Sequence, residues 1–145
     1  MPRIAALDVG DATVGVAVSD ATMLTANPVT VIRRTNSVKA DVRETERLLL
    51  ERGAEEVVVG MPLDAQGNMG PQALKVKDFY DRLSRRMSIP FFTVDERFST
   101  CEAEGYLLET DVSRKKREKV IDAMAAVVIL ETYLRERSIC EKQNP

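Results

Sequence analysis

One segment near the N-terminus, IAALDVGDATVGVAVSD, constrains the fold of this chain more than any other part of the sequence. Its two apolar halves predict two strands, Arg3 to Asp8 and Val14 to Asp20, joined as a hairpin by a turn that contains Gly10. Such a turn places the Asp8 carboxylate at the mouth of a sheet, where the glycine leaves room for a phosphate or a metal ion. From this segment alone, Asp8 is either a metal ligand or a residue that forms the turn.

The rest of the chain predicts an alternation of strands and helices. The further predicted strands are residues 25–32, 55–60 and 89–95, and Pro28 favours an edge position or a bulge. Four helices are predicted, each with a capping residue or a proline near its start. The first runs from residue 36 or 37 to about 52, the second begins at about 71, the third runs from 99 to about 109, and the fourth from 116 or 118 to 137. Three strands followed by this alternation imply an α/β fold, a mixed five-stranded sheet with helices on both faces.

Length and composition indicate one folded domain. The 145 residues can bury a core, and 44% apolar with 30% charged residues is typical of a soluble globular protein. We expect a single domain over residues 1–145, with a frayed tail over about 138–145. The sequence contains no stretch typical of a signal peptide or a membrane span, which predicts a cytoplasmic protein without membrane contact.

The absence of histidine narrows the possible chemistry. Without histidine, the commonest general base and the Ser-His-Asp and Cys-His kinds of nucleophilic catalysis are excluded. Cys101 and Cys140 form no CxxC pair and are expected to be free thiols. The formal net charge of −2 means that any contact with nucleic acid must come from local basic patches.

Acidic residues lie at the ends of three predicted elements. Asp8 ends the first strand, Asp95 and Glu96 end the last strand, and Asp122 lies near the start of the final helix. In sheets of this kind, ligands bind at the carboxyl ends of the strands. Carboxylates held close together either take up protons or bind a hard cation such as Mg²⁺ or Mn²⁺. Each acid alone could also be structural, as a turn former, a solvated side chain or a charge that complements a helix dipole.

Two groups of basic residues lie near these acids in sequence. Arg97 directly follows Glu96, and Arg114-Lys115-Lys116-Arg117 precedes the helix that contains Asp122. Phosphate contact is one interpretation of both groups. The alternatives are ion pairing for Arg97 and solvation for the basic run. The pairs Arg33-Arg34 and Arg85-Arg86 are expected to be solvated.

Four motifs together resemble the YqgF family of RNase H-like proteins. The motifs are LDVGDATVGVAVSD, VVVGMPLDAQGNMGPQA, VDERFST and DVSRKKREKVIDAMAAVVIL, and the resemblance extends from Arg3 to about Tyr133. Members of this family are described as Holliday junction resolvases or as nucleases for the 5′ end of pre-16S ribosomal RNA. The resemblance therefore implies an RNase H-like fold and a hydrolase that cuts phosphodiester bonds.

The family pattern also implies which residues form the site. Carried over by motif, the acidic positions fall on Asp8, Glu96 and Asp122, which would be catalytic and would hold Mg²⁺ or Mn²⁺. The run from Arg114 to Arg117 resembles the basic run of the family and, with Arg97, would contact nucleic acid. One departure concerns the first turn, where the family commonly has basic residues and this chain has Asp11-Ala12-Thr13. This departure affects the substrate preference that the resemblance implies more than it affects the assignment of the three acidic residues.

Several functions remain open from sequence. We expect a metal-dependent endonuclease that processes the 5′ end of pre-16S ribosomal RNA, and cleavage of four-way DNA junctions would use the same chemistry. A catalytically silent nucleic-acid-binding protein is an alternative of another class. The first turn also resembles the phosphate loop of actin-like ATPases, although those proteins need two such lobes. The chain could act as a monomer or as a homodimer, and a junction enzyme would need two sites related by two-fold symmetry.

Overall fold

The computed structural model of this protein describes residues 3–20, 26–95 and 124–136. In chain order the elements are β1 (Arg3–Val9), β2 (Thr13–Ser19), β3 (Ala26–Arg33), α1 (Val38–Glu51), β4 (Ala54–Met61), α2 (Pro71–Arg86) and β5 (Phe91–Asp95). Residues 124–136 are helical and are called α3 here. The helix predicted over 99–109, the predicted tail and both cysteines lie outside the described residues.

The five strands form one mixed sheet in the order β3-β2-β1-β4-β5. β1 pairs antiparallel with β2 and parallel with β4, and β5 continues the parallel half beside β4. The carboxyl ends of β1, β4 and β5 therefore meet at one edge of the sheet, which we call the carboxyl edge. Both the mixed sheet and the hairpin were predicted from the sequence, and both predictions are confirmed.

Two hydrophobic clusters cover the two faces of the sheet. Leu7 and Val59 pack with residues of α1 and α2 on one face, which we call the α1/α2 face. Ala6 and Val58 pack with residues of α3 on the other, the α3 face. Helices thus cover both faces, and the central strands are buried on both sides, as the valine run of β4 predicted.

α1 begins and ends at residues that suit those positions. The Ser37 side chain accepts a hydrogen bond from the backbone N–H of Ala40, which caps the first turn. After the helix ends, Gly53 adopts a positive φ of 69°, a conformation that costs glycine little and other residues much more. The start predicted at residue 36 or 37 is found at Ser37, and the end predicted at about residue 52 is confirmed.

Proline explains two details at the edges of the sheet. β3 is an edge strand whose register with β2 shifts between Val16 and Ala17, opposite Pro28, so both interpretations of Pro28 hold. β5 begins at Phe91, two residues later than predicted. Pro90 has no N–H for the sheet, although its carbonyl still accepts a hydrogen bond of 3.0 Å from Val57.

Two adjacent leucines of α1 provide a test of this core. The side chain of Leu49 is 0% exposed, whereas that of Leu50 is 63% exposed. We expect Leu49→Ala to lower the free energy of unfolding by about 2–5 kcal/mol, because it leaves a cavity in the core. The matched change Leu50→Ala should stay within about 0.5 kcal/mol. Urea unfolding of both variants measures the difference, and equal losses would contradict this packing.

Candidate functional site

Asp8 lies at the carboxyl edge, one residue before the end of β1. The preceding residues of the strand, Ile4 to Leu7, are fully buried, whereas Asp8 is only partly buried. Alternation along the strand places Asp8 on the same face as Ile4 and Ala6, which belong to the cluster on the α3 face. The carboxylate is therefore held by a rigid central strand, at the point where that strand leaves the core.

Glycines occupy the positions beside Asp8 on both neighbouring strands. Gly15 of β2 is directly opposite Asp8 in the antiparallel register. On the other side, Leu7 is level with Val59, so that Asp8 is level with Gly60. A residue with a side chain at either position would project it beside the carboxylate on the α3 face. Neither glycine projects a side chain beside the carboxylate.

The role of Gly15 and Gly60 was missed in the sequence analysis. A signal was available, because glycine inside or at the end of an apolar strand marks a bulge or a close approach by a ligand. Only the strand register, however, shows that both glycines flank the same carboxylate.

Asp95 does not share a face with Asp8. The ring of Phe92 stacks on Tyr133 of α3 with a centroid separation of 5.7 Å, and Val94 belongs to the cluster on the α3 face. Alternation therefore places Asp95 on the α1/α2 face of the same edge. Of the two acids at the end of the last strand, Asp95 is thus the one that the geometry separates from Asp8.

The position of α3 on the sheet follows from contacts near its C-terminal end. The Tyr133 hydroxyl donates a hydrogen bond to Glu56, in the first half of β4, and the Tyr133 ring stacks on Phe92 of β5. Met124, at the described start of the helix, packs on the cluster of the α3 face as well. From Tyr133 to Met124 a helix spans about 13.5 Å, so α3 lies along the buried face of the sheet over that length.

α3 is deeply buried. Residues 125–130 are all buried, and Met124 and Leu134 are partly buried and pack on the cluster of the α3 face. Six consecutive buried residues cover more than one side of the helix.

A buried carboxylate lies at the start of α1, close to the β1–β2 turn. Asp41 is 2% exposed and accepts hydrogen bonds from Arg34 at 3.1 Å and from the backbone N–H and hydroxyl of Thr35, both at 2.9 Å. Burial alone would raise the pKa of Asp41, but the bonds from Thr35 and Arg34 outweigh burial and hold this pKa below its ordinary value. Asp41 is thus ionised and paired.

Arg34 contradicts the prediction made for it. It was expected to be solvated, yet its side chain is 13% exposed and paired with Asp41. No local pattern indicates this pairing, because Asp41 belongs to the helix and Arg34 to the segment after β3. Arg33, Arg85 and Arg86 are exposed as expected, and Arg86 is also paired with Glu46.

Asp11, the unusual acid of the first turn, lies in an open groove. Its carboxylate is 3.5 Å from the ammonium group of Lys75 in α2, and both side chains are exposed. The groove has a volume of about 490 Å³, and Val38 and Leu74 contribute apolar walls. It lies beside the turn that follows Asp8, with α1 and α2 as its walls.

The other predicted site residues lie outside the described residues. These are Glu96, Asp122, Arg97, Arg114, Lys115, Lys116 and Arg117. Within residues 3–20, 26–95 and 124–136, no three acids or cysteines come together as a metal site. Among the described helices, none is long and apolar enough to cross a membrane.

Comparison with known proteins places the chain in a family. The sequence profile described as "RuvX: Holliday junction resolvase" matches residues 2–136. The chain belongs to the RuvX family. This family is the YqgF family identified from the four motifs, so that resemblance is confirmed.

Curated relatives of the RuvX family match almost the whole chain. A protein from Natranaerobius thermophilus is 45% identical over 142 residues, which are 98% of this chain and 99% of the relative. A protein from Clostridioides difficile is 47% identical over 132 residues, 91% of this chain and 93% of the relative. Both relatives carry the name "Putative pre-16S rRNA nuclease".

Solved structures confirm the fold expected for a RuvX protein. Thermus thermophilus RuvC in complex with a Holliday junction substrate matches with a TM-score of 0.58 at 17% identity, covering 94% of this chain and 96% of that chain. A second Thermus thermophilus RuvC structure matches with a TM-score of 0.56 at 16% identity, covering 92% and 96%. At this identity the likeness shows the fold, which is RNase H-like as predicted.

The contact between α3 and the sheet can be tested with two tyrosines. The Tyr133 hydroxyl bonds the Glu56 side chain, whereas the Tyr80 hydroxyl donates to the Phe91 carbonyl at 2.9 Å. We expect Tyr133→Phe to lower the free energy of unfolding by about 1.5–3 kcal/mol, because its acceptor is charged. Tyr80→Phe should cost about 0.5–1.5 kcal/mol. Urea unfolding compares them, and a smaller loss for Tyr133→Phe would be inconsistent with this contact.

The pairing of Asp41 predicts an acid-sensitive contribution to stability. Because the pKa of Asp41 is lower in the folded state than in the unfolded state, its contribution is complete above about pH 4. It is lost as the pH falls through the lowered folded-state pKa. In Asp41→Asn this contribution is absent, so the stability gap between the wild type and the variant should narrow on acidification. Urea unfolding at about pH 6 and about pH 3 measures the gap, and a constant gap would refute the assignment.

Proposed function

We propose that this protein is a metal-dependent endonuclease that hydrolyses phosphodiester bonds in the 5′-end processing of pre-16S ribosomal RNA. The observation that carries the proposal is the match over 98% of the chain to a relative that is named for this activity. The position of Asp8 supports it, because a carboxylate at the carboxyl edge of a mixed sheet, with glycine on both sides, is suited to bind a phosphate-associated cation.

Glu96 is the proposed second carboxylate of the site. It follows Asp95 directly, and Asp95 ends β5 at the carboxyl edge. Phe92 and Val94 face α3, which places Asp95 on the α1/α2 face, opposite to Asp8. Of the two adjacent acids, Asp95 is therefore the less suited partner of Asp8, which supports the choice of Glu96.

Asp122 is the proposed third carboxylate. It precedes Met124 by two residues, a distance of at most about 7 Å along the chain. Met124 packs on the α3 face, the face of the sheet that carries Asp8. The short distance along the chain from Met124 supports Asp122 as a partner of Asp8.

The donor set suits a hard divalent cation. Three carboxylates without histidine or cysteine are the kind of ligands that bind Mg²⁺ or Mn²⁺. When bound, the ion would supply positive charge to the phosphate oxygens and would make a water molecule more acidic. Asp8, Glu96 and Asp122 would hold the ion, and the glycines beside Asp8 would leave space for the scissile phosphate.

Basic residues would hold the nucleic-acid backbone. Arg97 directly follows Glu96, and the run Arg114, Lys115, Lys116 and Arg117 precedes Asp122 in sequence. Their charges are local, since the chain as a whole has a net charge of −2. We therefore expect binding that weakens as salt rises. A substrate of this class would place the protein in the cytoplasm.

Cleavage of four-way DNA junctions is the second candidate function. The specific observation in its favour is the description of the matching family as a Holliday junction resolvase. Both substrates would use the same carboxylates, so the distinction lies in substrate shape. A junction enzyme would need a homodimer with two sites, whereas a monomer suffices for a single cut in RNA.

Cleavage assays with matched variants test both functions. We expect the wild type with Mg²⁺ or Mn²⁺ to cut a labelled pre-16S RNA 5′ leader, and Asp8→Asn, Glu96→Gln and Asp122→Asn to lose at least about 100-fold in rate. Asp95→Asn is the control for Glu96→Gln, because Asp95 directly precedes Glu96 in sequence and lies on the face opposite to Asp8. This control should keep nearly the full rate.

The outcomes separate the candidate functions. Cutting of the DNA junction in preference to the RNA leader would favour the resolvase. If the wild type cut neither substrate with either metal, yet bound both as tightly as Asp8→Asn does, the protein would be a silent binder. Equal losses of cleavage rate in Asp95→Asn and Glu96→Gln would contradict the placement of Asp95 on the face opposite to Asp8.

A further inference from the structure

The side chain of Arg34 connects the β1–β2 turn to two helices. Its guanidinium group donates a hydrogen bond of 2.8 Å to the Gly10 carbonyl and one of 3.1 Å to Asp41 at the start of α1. The same group lies over the ring of Phe79 in α2, with Cζ 5.2 Å from the ring centroid. The backbone N–H of Arg34 also donates to the carbonyl of Ala12, at 2.8 Å.

These contacts fix a turn that is directly connected to Asp8. Gly10 follows Asp8 by two residues, and its own N–H donates to the Thr13 carbonyl at 2.8 Å, which closes the turn. Both the Gly10 and the Ala12 carbonyls then accept bonds from Arg34. Phe79 belongs to the cluster of the α1/α2 face, so Arg34 holds the turn from the face opposite to Asp8.

Stability alone is a poor reason for such a pair. Burying an arginine and an aspartate costs solvation of both charges, and apolar side chains of similar size are often as stable in the same place. What an ion pair adds is geometry, because the planar guanidinium group directs several donors at fixed angles. Here those donors are divided between a helix and the carbonyl of the turn.

We propose that Arg34 is a positioning residue, which orients the Asp8 carboxylate for its cation by locking the β1–β2 turn against α1 and α2. This proposal rests on the proposed function, in which Asp8 is a metal ligand. Residues that orient metal ligands typically contribute 10- to 100-fold to metal affinity or activity. The proposal therefore predicts an effect on the metal that exceeds any effect on folding.

The test compares variants that break different contacts of Arg34. The double variant Arg34→Met/Asp41→Asn removes both buried charges, retains an oxygen that can accept from Thr35, and removes the bond to Gly10. The single variant Asp41→Asn is the control, because it removes the ion pair but leaves the donor to the Gly10 carbonyl. Arg34→Lys is a second test variant, since one ammonium group cannot reproduce the fork of donors to both Asp41 and Gly10.

Two measurements on the purified full chain distinguish positioning from folding. Calorimetric titration with Mn²⁺ alone gives the metal affinity, and hydrogen exchange at the Gly10 amide reports the closed turn without metal or substrate. We expect the double variant and Arg34→Lys to bind Mn²⁺ about 10- to 100-fold more weakly and to exchange the Gly10 amide faster. Asp41→Asn should remain near the wild type in both measurements, even where urea unfolding shows that it is less stable.

Each result either supports or overturns the proposal. Wild-type Mn²⁺ affinity and Gly10 exchange in the double variant would overturn it. If Asp41→Asn lost as much affinity as the double variant, the role of Arg34 would be structural and the proposal would fail. If the double variant did not fold, Arg34→Lys compared with Asp41→Asn would decide. Asp8→Asn is measured alongside, because unchanged Mn²⁺ binding there would reject the proposed function itself rather than the role of Arg34.

Discussion

Burial of β1 and β4 on both faces is the constraint on which the rest of the structure depends. Ile4 to Leu7 and Val57 to Val59 are fully buried, between α1 and α2 on one side and α3 on the other. A carboxylate in the middle of either strand would lose its water at a cost of roughly several kcal/mol, unless a partner compensates as Tyr133 does for Glu56. A carboxylate that is to meet a ligand is therefore best placed where the strand leaves the core. Asp8 occupies that position on β1.

The same constraint explains why glycine is found beside Asp8. Gly15 is directly opposite Asp8, and Gly60 follows the last residue of β4 that pairs with β1, so any side chain at these positions would project onto the α3 face. Glycine weakens a strand, because it has no side chain to pack and loses more conformational freedom on folding. Two such positions beside one carboxylate favour a site for a ligand, because glycine inside a strand commonly marks a place that a ligand approaches closely.

Much of the fold could be predicted from local patterns in the sequence. The apolar halves around Gly10 gave the hairpin, the valine run gave the buried β4, and Pro28 indicated the edge strand. Such patterns depend on alternation and turn chemistry over a few residues. The family resemblance added the RNase H-like topology, which local patterns left open.

The site was harder to predict, because its geometry depends on contacts between distant parts of the chain. The strand register shows that Gly15 and Gly60 flank Asp8, and the contacts of β5 with α3 show that Asp95 faces away from it. The burial of Arg34 could be predicted even less, since a pair of arginines in a polar segment normally indicates solvated side chains. Arg34 is largely buried because Gly10 and Asp41, which are distant in sequence, both accept hydrogen bonds from its side chain.

Carboxylates that repel one another need rigid supports on separate elements. A single flexible loop with three acids would relax by moving the charges apart or by taking up protons. Asp8 instead is part of a buried strand whose turn is held by Arg34, and α3 is fixed lengthwise by the contact of Tyr133 with Glu56. In the proposed site, such supports would hold the acids in place before a cation arrives, so that little rearrangement would be needed when it binds. The polar contacts at Arg34 and Tyr133 would thus act on the proposed chemistry from a distance.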